Sequence, residues 1–138
     1  MKKSIDTNRL GELPARYSFV LNPYAEVRFS RCTICKRLTH FRKFALLIHV
    51  KESGLVVLGK TCRYCTKCEV IIAHKNEVED ELNRFFSGQQ ERVGNDWYLI
   101  IGIVGLKTWR KSLQIPITTK EILKKTADFK EHLSLEHE

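Results

Sequence analysis

The chain has 138 residues, of which 43% are hydrophobic and 29% charged, and its formal net charge is +8. This length and composition are typical of one soluble globular domain with a modest core. No apolar run approaches the ~18 to 20 residues of a membrane span, so we expect no membrane partner. The first residues lack the apolar run of a signal peptide, and we therefore expect a cytoplasmic protein with reduced cysteines.

The positive charge is concentrated in the first half of the chain. Residues 1–75 hold 15 Lys or Arg against 5 Asp or Glu, a net of +10. Residues 76–138 hold 9 against 11, a net of −2. This asymmetry favours an anionic partner for the first half, although a solvated basic face explains it equally well.

The sequence before the first cysteine predicts a loosely held start and two short strands. Gly11 and Pro14 interrupt any helix within residues 1–16. Residues 17–21 form an apolar run that predicts a strand, and a turn follows it. Residues 25–30 alternate in character and predict a second strand that enters the first cysteine cluster.

All five cysteines lie in two clusters within the window 32–68. The first cluster is the Cys-x-x-Cys pair Cys32 and Cys35, and the second holds Cys62, Cys65 and Cys68. A two-residue gap lets both sulfurs of one turn reach the same ion, and four thiolates complete the closed tetrahedral shell that structural zinc prefers. The sequence therefore predicts one structural Zn²⁺.

The second pair of zinc ligands is open, because Cys62/Cys65 and Cys65/Cys68 have the same spacing. We favour Cys65 and Cys68, since Cys-Thr-Lys-Cys matches the Cys-Thr-Ile-Cys of the first cluster. This choice also gives the intervening hairpin arms of more equal length. Cys62 is then a free or buried thiol, and in the alternative it replaces Cys68.

Apolar runs between and after the clusters predict three strands. A hairpin turns at residues 51–54. Its first arm has two faces, one with Phe44, Leu46, Ile48 and Val50 and the other with Lys43, Ala45, Leu47 and His49. Residues 55–58 return along this arm, and residues 70–72 supply the third strand.

With two Cys-x-x-Cys knuckles on three antiparallel strands, residues 28–74 resemble the zinc-ribbon proteins. In that group a Gly often follows the second Cys of a knuckle, whereas this chain has Lys36 and Glu69 (or Thr66) there. Its members contact DNA, RNA or protein, so the resemblance implies such a partner without choosing among them.

The second half predicts a helix, a strand pair and a final helix. Asn76 begins the first helix as its predicted cap, because its side chain can accept a bond from a free backbone N–H. The apolar stripe of this helix is Val78, Leu82, Phe85 and Phe86, and Ser87-Gly88 ends it. Residues 97–104 are apolar on both faces and predict a buried strand, with residues 108–113 as its partner. Thr118 and Glu121 predict a capping box. The helix that this box begins presents an inner stripe of Ile122, Thr126, Phe129 and Leu133.

These elements predict an α+β fold, in which an N-terminal three-stranded zinc ribbon packs with a C-terminal strand pair and two helices. The expected organisation is a loosely ordered start at 1–16, a zinc-ribbon half at 17–75 and a helix-strand-helix half at 76–138. The apolar helix stripes need partners, so we expect both halves to form one compact unit.

No catalytic constellation is recognisable, so we do not expect an enzyme with its own active site. Basic residues interleaved with aromatic ones favour RNA or DNA instead, because cations hold phosphates while aromatic faces stack on unpaired bases. The candidate contacts are Arg37, Arg42, Lys43, Arg63, Lys67, Arg110 and Lys111. Against this, Phe41, Phe44 and Trp109 can be core residues that the cations merely flank, and for Phe44 we prefer that interpretation.

The alternative function is a zinc-stabilised protein-interaction or scaffold module without nucleic-acid contact. Its partner would dock around Tyr17, Tyr24 or Trp109, since aromatic residues are enriched in interface cores. The sequence does not predict an oligomeric state.

Overall fold

One seven-stranded sheet dominates the part of the chain that the computed structural model describes, residues 9–86 and 97–133. The strands are β1 (Ser18–Asn22), β2 (His40–Val50), β3 (Gly54–Cys65), β4 (Val70–His74), β5 (Tyr98–Val104), β6 (Thr126–Asp128) and β7 (Glu131–Leu133). The helices are α1 (Lys75–Phe85), α2 (Leu106–Ser112) and α3 (Thr119–Lys124). None of these helices is long and apolar enough to cross a membrane.

The strand order across the sheet is β6-β5-β2-β3-β4-β1-β7. β1 runs parallel to β4 and β7, and the other neighbours are antiparallel. Only Phe129 and Lys130 separate the two edge strands β6 and β7 in the chain. The Phe129 N–H donates to Ile101 O at 2.9 Å near one edge, and the Lys130 N–H donates to Tyr17 O at 2.8 Å near the other. The sheet is therefore curled into a half-barrel whose edges approach each other.

The inner face of this curl carries the largest apolar cluster. β2 contributes Phe44, Leu46, Ile48 and Val50, the face that the sequence predicts, and β3 adds Leu58, Cys62 and Tyr64. Val78 and Leu82 of α1 are fully buried in the same cluster. Phe19 stacks on Phe129 with ring centroids 4.7 Å apart, which packs β1 against the segment that joins the edges. Elements from both halves of the chain thus share one core.

Helices α2 and α3 cover part of the outer face. Ala45 and Leu47 of β2 lie there, together with Leu106 and Trp109 of α2 and Ile122 and Leu123 of α3. The Trp109 ring lies so close to β3 that a Cβ added at Gly59 would come within 2.3 Å of it. Glycine at this position therefore lets α2 approach the sheet.

The predicted fold class is wrong, because the protein is mostly sheet with three short helices. The three predicted ribbon strands exist as β2, β3 and β4, but they are not a separate N-terminal unit. β2 pairs with β5 as well as with β3, and β4 pairs in parallel with β1. The three strands are antiparallel neighbours, but long-range pairing makes them part of a larger sheet rather than a separate ribbon.

Three elements account for most of that error. Residues 25–30 form no strand, since the Asn22 side chain holds a turn by donating to Val27 O at 2.7 Å. Residues 108–113 lie mostly in helix α2 rather than in a strand, because Leu106 and Trp109, three residues apart, pack on the outer face. The final helix ends at Lys124, and β6 and β7 follow it.

Other predicted elements agree with the structure. The strand at 17–21 corresponds to β1, the strand at 97–104 to β5 and the helix from residue 76 to α1. The capping box at Thr118 is present with both of its hydrogen bonds. Asn76 is not the cap of α1, whose N-cap residue is His74, and the predicted stop at Ser87-Gly88 lies outside the described residues.

The segment 9–16, part of the start expected to be loosely ordered, is hydrogen-bonded to the end of the sheet. The buried Asp128 carboxylate accepts from the backbone N–H groups of Gly11 at 2.6 Å and Leu10 at 3.1 Å. The Arg16 N–H donates to the backbone O of Asp128 at 2.9 Å. These bonds hold the segment beside β6.

Candidate metal centre and outer stripe

Four cysteines meet at the end of the sheet where β3 turns into β4. The Sγ atoms of Cys32, Cys35, Cys65 and Cys68 all lie within 4.8 Å of one another, and those of Cys35 and Cys65 are 3.6 Å apart. A tetrahedral zinc site with Zn–S bonds of about 2.3 Å separates its sulfurs by about 3.8 Å. The sulfurs therefore lie close enough together to be candidate ligands of one metal ion.

The two cysteine turns share one backbone pattern. In the first, the Lys36 N–H donates to Cys32 O at 3.1 Å, and in the second the Glu69 N–H donates to Cys65 O at 2.8 Å. Each turn also directs backbone N–H groups at sulfur: Ile34 N–H to Cys32 Sγ at 3.3 Å and Cys68 N–H to Cys65 Sγ at 3.4 Å. N–H donors of this kind stabilise thiolates, and metal ligation requires thiolates.

Lys36 and Glu69 occupy the position where zinc-ribbon proteins often have glycine. Their φ angles are 66° and 54°, so both residues adopt the left-handed conformation that glycine adopts without strain. This conformation costs a non-glycine residue roughly 1–2 kcal/mol. The turns therefore have the expected shape despite their unusual sequence.

The thiols of the cluster differ in acidity. The pKa of Cys35 is lowered to about 7, chiefly by the backbone N–H of Arg37. The pKa of Cys65 is raised, first by burial, and that of Cys68 is raised to about 12 by desolvation and by its bonds with Cys35 and Cys32. Metal binding must therefore displace protons from the cluster, as is general for thiolate sites.

Cys62 lies away from the cluster. Its side chain is on the inner face of the sheet, where the thiol is 2% exposed and donates to Lys60 O at 3.5 Å. Burial raises its pKa to about 12. Of the two ligand sets that spacing left open, the structure brings together the one that contains Cys65 and Cys68.

Little apolar packing supports the cysteine cluster. Its buried neighbours are Val20, Val70 and Ile72, with Phe29 and Leu133 partly buried against them. The adjoining loop is fixed mainly by polar bonds, in which Thr39 donates its N–H to Ser30 O at 2.9 Å and its hydroxyl to the same oxygen at 3.0 Å. This end of the molecule therefore depends on the cysteines more than the inner core does.

The seven candidate cations do not share one surface. Arg42 and Lys43 are neighbours on β2, so their side chains point to opposite faces. The Arg42 guanidinium lies over the inner-face rings of Phe44 at 5.1 Å and Tyr64 at 5.2 Å, whereas Lys43 Nζ lies 5.2 Å from the centroid of Trp109 outside. Exposed positions flanking the cysteine cluster hold Arg37 and Lys67, and α2 carries Arg110 and Lys111, also exposed.

One row of side chains on the outer face combines cations with aromatic rings. We define the outer stripe as Phe41 and Lys43 of β2, Thr61 and Arg63 of β3, and Trp109 of α2. Phe41 is directly opposite Arg63 and Lys43 opposite Thr61 in the β2–β3 pairing. Since alternate residues share a face, Cys65 continues the β3 row beyond Arg63. The stripe thus runs from the cysteine cluster to α2.

Phe41 and Phe44 are close in sequence, but they lie on opposite faces of β2. Phe44 is 4% exposed in the inner core, as expected, whereas Phe41 is 68% exposed. Phe41 has the same strand parity as Lys43 and His49, so alternation along β2 already placed it on the polar face. Tyr17, which the alternative function used for docking, is 3% exposed and belongs to the inner core.

Comparisons of the chain with protein-family models, with curated proteins and with solved structures find no match.

Proposed function

We propose that the chain is a zinc-stabilised nucleic-acid-binding protein. One structural Zn²⁺ is held by Cys32, Cys35, Cys65 and Cys68, and the basic surface around it binds RNA or DNA. The observation that carries the proposal is the convergence of the four sulfurs within 4.8 Å, beside a strongly basic stretch of chain.

The chemistry of the four donors favours zinc. A closed set of four soft thiolates suits Zn²⁺, and hard cations such as Mg²⁺ or Ca²⁺ take oxygen ligands instead. A closed shell also leaves no position for water, so the metal has a structural role. It would join the loop before β2 to the β3–β4 turn, two segments about thirty residues apart in sequence.

The charge around the cluster favours an anionic partner. Residues 27–68 contain ten Lys or Arg and one Asp or Glu, which is Glu52. A zinc ion with four thiolates has a charge of roughly −2, so the metal centre offsets only part of this excess. Within the described ranges, Arg37, Lys43, Arg63 and Lys67 form no ion pair with a carboxylate, and they remain available to phosphates.

Binding assays with zinc-loaded protein test the nucleic-acid proposal. Labelled single-stranded RNA, single-stranded DNA and duplex DNA are titrated at ~50 mM salt, where even non-specific binders have dissociation constants of about 10⁻⁴ M or tighter. We expect binding that weakens as salt rises. Undetectable binding to all three probes would overturn the nucleic-acid proposal. Zinc content is measured separately, because the metal site does not depend on this result.

A protein-interaction module is the second candidate, and one observation favours it. A cleft of about 230 Å³ on the outer face is lined mainly by apolar groups, among them Leu55, Val57, Trp109 and Leu113. Leu113 is 66% exposed at its rim. A partner bound there by apolar contacts would stay bound at high salt, whereas phosphate contacts would not persist.

A further inference from the structure

The outer stripe identifies particular contact residues for a nucleic acid, which the net charge of the chain does not. Phe41 is a large aromatic side chain near the cysteine end of the β2–β3 strand pair, and 68% of its surface is exposed. The Arg63 guanidinium lies over its ring, with Cζ 4.1 Å from the centroid. A ring with one face against a cation and its remaining surface open to solvent is suited to stacking against another planar group.

The position of Arg63 is fixed by the metal-bearing end of the protein. Its Nη1 donates to Thr39 Oγ1 at 3.3 Å, and Thr39 in turn is bonded to the loop before Cys32. Arg63 also lies two residues before Cys65 on the same strand face. Both cysteine turns therefore help to orient this guanidinium before any partner arrives, which lowers the entropic cost of binding.

A second ring and cation extend the stripe. Lys43 lies one outer-face position beyond Phe41 on β2, and its Nζ is 5.2 Å from the Trp109 centroid. Trp109 packs over Gly59, which is four residues from Arg63 along β3, a distance of about 13 Å. Rings and cations thus alternate along a row with no carboxylate among its members.

From this arrangement we infer that the outer stripe is a stacking platform for single-stranded nucleic acid, with an unpaired base on Phe41 and adjacent phosphates on Arg63 and Lys43. The inference rests on the proposed nucleic-acid function and specifies the strand form and the contact residues. An aromatic side chain on a sheet surface can stack only on a base that is not already stacked in a duplex. The backbone contacts are sequence-independent, so no base preference follows from them.

The test uses the zinc-loaded full chain and oligonucleotides of about 12 nucleotides, a length within the usual range of single-strand binding sites. Oligo-uridine RNA and oligo-thymidine DNA are compared with a duplex of equal length. We expect the wild-type protein to prefer the single strands. Phe41→Ala should weaken single-strand binding by about tenfold, because base–aromatic stacking is typically that strong, and Phe41→Trp should retain it.

Neighbouring cations on β2 provide a matched control. Lys43→Ala and Arg42→Ala each remove one positive charge from the same strand, but only Lys43 lies on the outer face. We expect Lys43→Ala to reduce the log–log salt slope of single-strand binding by about 0.7, as for one lost phosphate contact, and Arg42→Ala to leave it unchanged. Zinc content and thermal melting show whether each variant is folded. Phe41→Leu is the control for Phe41→Ala, because it removes the ring but keeps an apolar side chain.

The outcomes separate this inference from the proposed function. Wild-type protein that binds single strands no more tightly than duplex would overturn the platform, as would full affinity in both Phe41→Ala and Phe41→Leu. Equal effects of Lys43→Ala and Arg42→Ala would also overturn it. In these cases general nucleic-acid binding would still stand. If the wild-type protein binds none of the probes, the proposed function fails, and the platform fails with it.

Discussion

The inner core and the cysteine end are stabilised in different ways. Inside the curled sheet, side chains from five strands and α1 form one cluster in which residues such as Leu46, Ile48 and Leu82 are fully buried. At the cysteine end, Val20, Val70 and Ile72 are the main buried apolar neighbours, and the loop of residues 29–39 crosses the surface there. The inner core is stabilised by buried apolar area, whereas the cysteine end has little of it and would be stabilised by the proposed metal.

In the proposed zinc-loaded protein, the metal and the apolar core would therefore stabilise different parts of the molecule. Burial of large apolar side chains contributes about 1.5–3 kcal/mol each and needs no ligand. Two left-handed non-glycine turns and two buried thiols oppose folding of the cysteine end, and binding of the proposed metal would offset them. Arg63 and Phe41 lie at the boundary between the two regions, so the orientation of the outer stripe should depend on the metal.

Metal removal should have the largest effect. Structural zinc binding has an apparent free energy of about 10–16 kcal/mol at neutral pH, so a chelator should release the cysteine end while the inner core stays folded. Hydrogen exchange measures this directly, because the amides of Lys36 and Glu69 are bonded within the turns. They should lose protection, whereas the amides of Leu46 and Ile48 should retain it.

The Cys32→Ser variant should resemble the chelated protein, since it leaves three thiolates. If the β2 amides lose protection together with those of the turns, the two regions unfold as one cooperative unit. The inner core would then not be stable without the metal.

A core truncation should have the opposite effect. Phe19→Ala removes a ring that stacks on Phe129 where the curled sheet closes, and it should lower the free energy of unfolding by about 3–5 kcal/mol. Denaturant unfolding of zinc-loaded protein measures the loss. Zinc content at low temperature should not change, because Phe19 lies on the inner face. A loss of zinc without a loss of global stability would contradict the separation of the regions.

The same substitution, Cys→Ala, can be made at the cysteine end and in the inner core. Cys68→Ala should abolish tight zinc binding, because it removes one of the four converging sulfurs. Cys62→Ala should keep one zinc per chain and cost only about 1 kcal/mol, as for a small loss of buried volume. Competition with a colorimetric zinc chelator measures both affinities. Weaker zinc binding in Cys62→Ala than in Cys68→Ala would show that the ligand set is wrong.

The smallest predicted effect is a gain in stability. Lys36→Gly should stabilise the zinc-loaded protein by about 1 kcal/mol, because glycine adopts the observed φ of 66° without the penalty of a side chain. Lys36→Ala is the matched control, since it removes the same charge but keeps the Cβ. Thermal unfolding should rank Gly above Ala. The reverse order would mean that the turn does not adopt this backbone conformation.

Local signals in the sequence predicted a large part of the fold. Alternation along residues 43–50 identified both faces of β2, and the Thr118–Glu121 box identified the start of α3. The similarity of the two Cys-x-x-Cys turns selected the cysteines that meet in the structure. Each of these signals depends on residues a few positions apart, where backbone geometry is decisive.

The closure of the sheet could not be predicted in this way. Phe129 fits the predicted stripe of a helix from Thr118, but it enters the inner core, because the chain pairs with β5 and then with β1. Gly102 permits this pairing, since a Cβ there would come within 2.2 Å of Ala127 O. Which strands become neighbours depends on contacts between residues far apart in sequence, 26 residues for Gly102 and Asp128 and 113 for Ser18 and Glu131, and no local pattern encodes them.

The candidate cations show the same limit. Sequence proximity grouped Arg42 with Lys43, but a strand directs adjacent side chains to opposite faces, so only one of the two belongs to the outer stripe. Phe41 was grouped with the core candidates although its parity placed it outside. The pairing of β2 with β3 determines which of the basic and aromatic residues share the outer face.

X-ray absorption at the zinc edge, on protein purified without chelator, would observe the proposed metal site itself. We expect one zinc per chain with four sulfur neighbours at about 2.3 Å and no nitrogen or oxygen ligand. Cys62→Ala should give the same spectrum. Protein that is folded but holds no zinc, or a shell with fewer than four sulfurs, would contradict the claim that Cys32, Cys35, Cys65 and Cys68 form a structural metal centre.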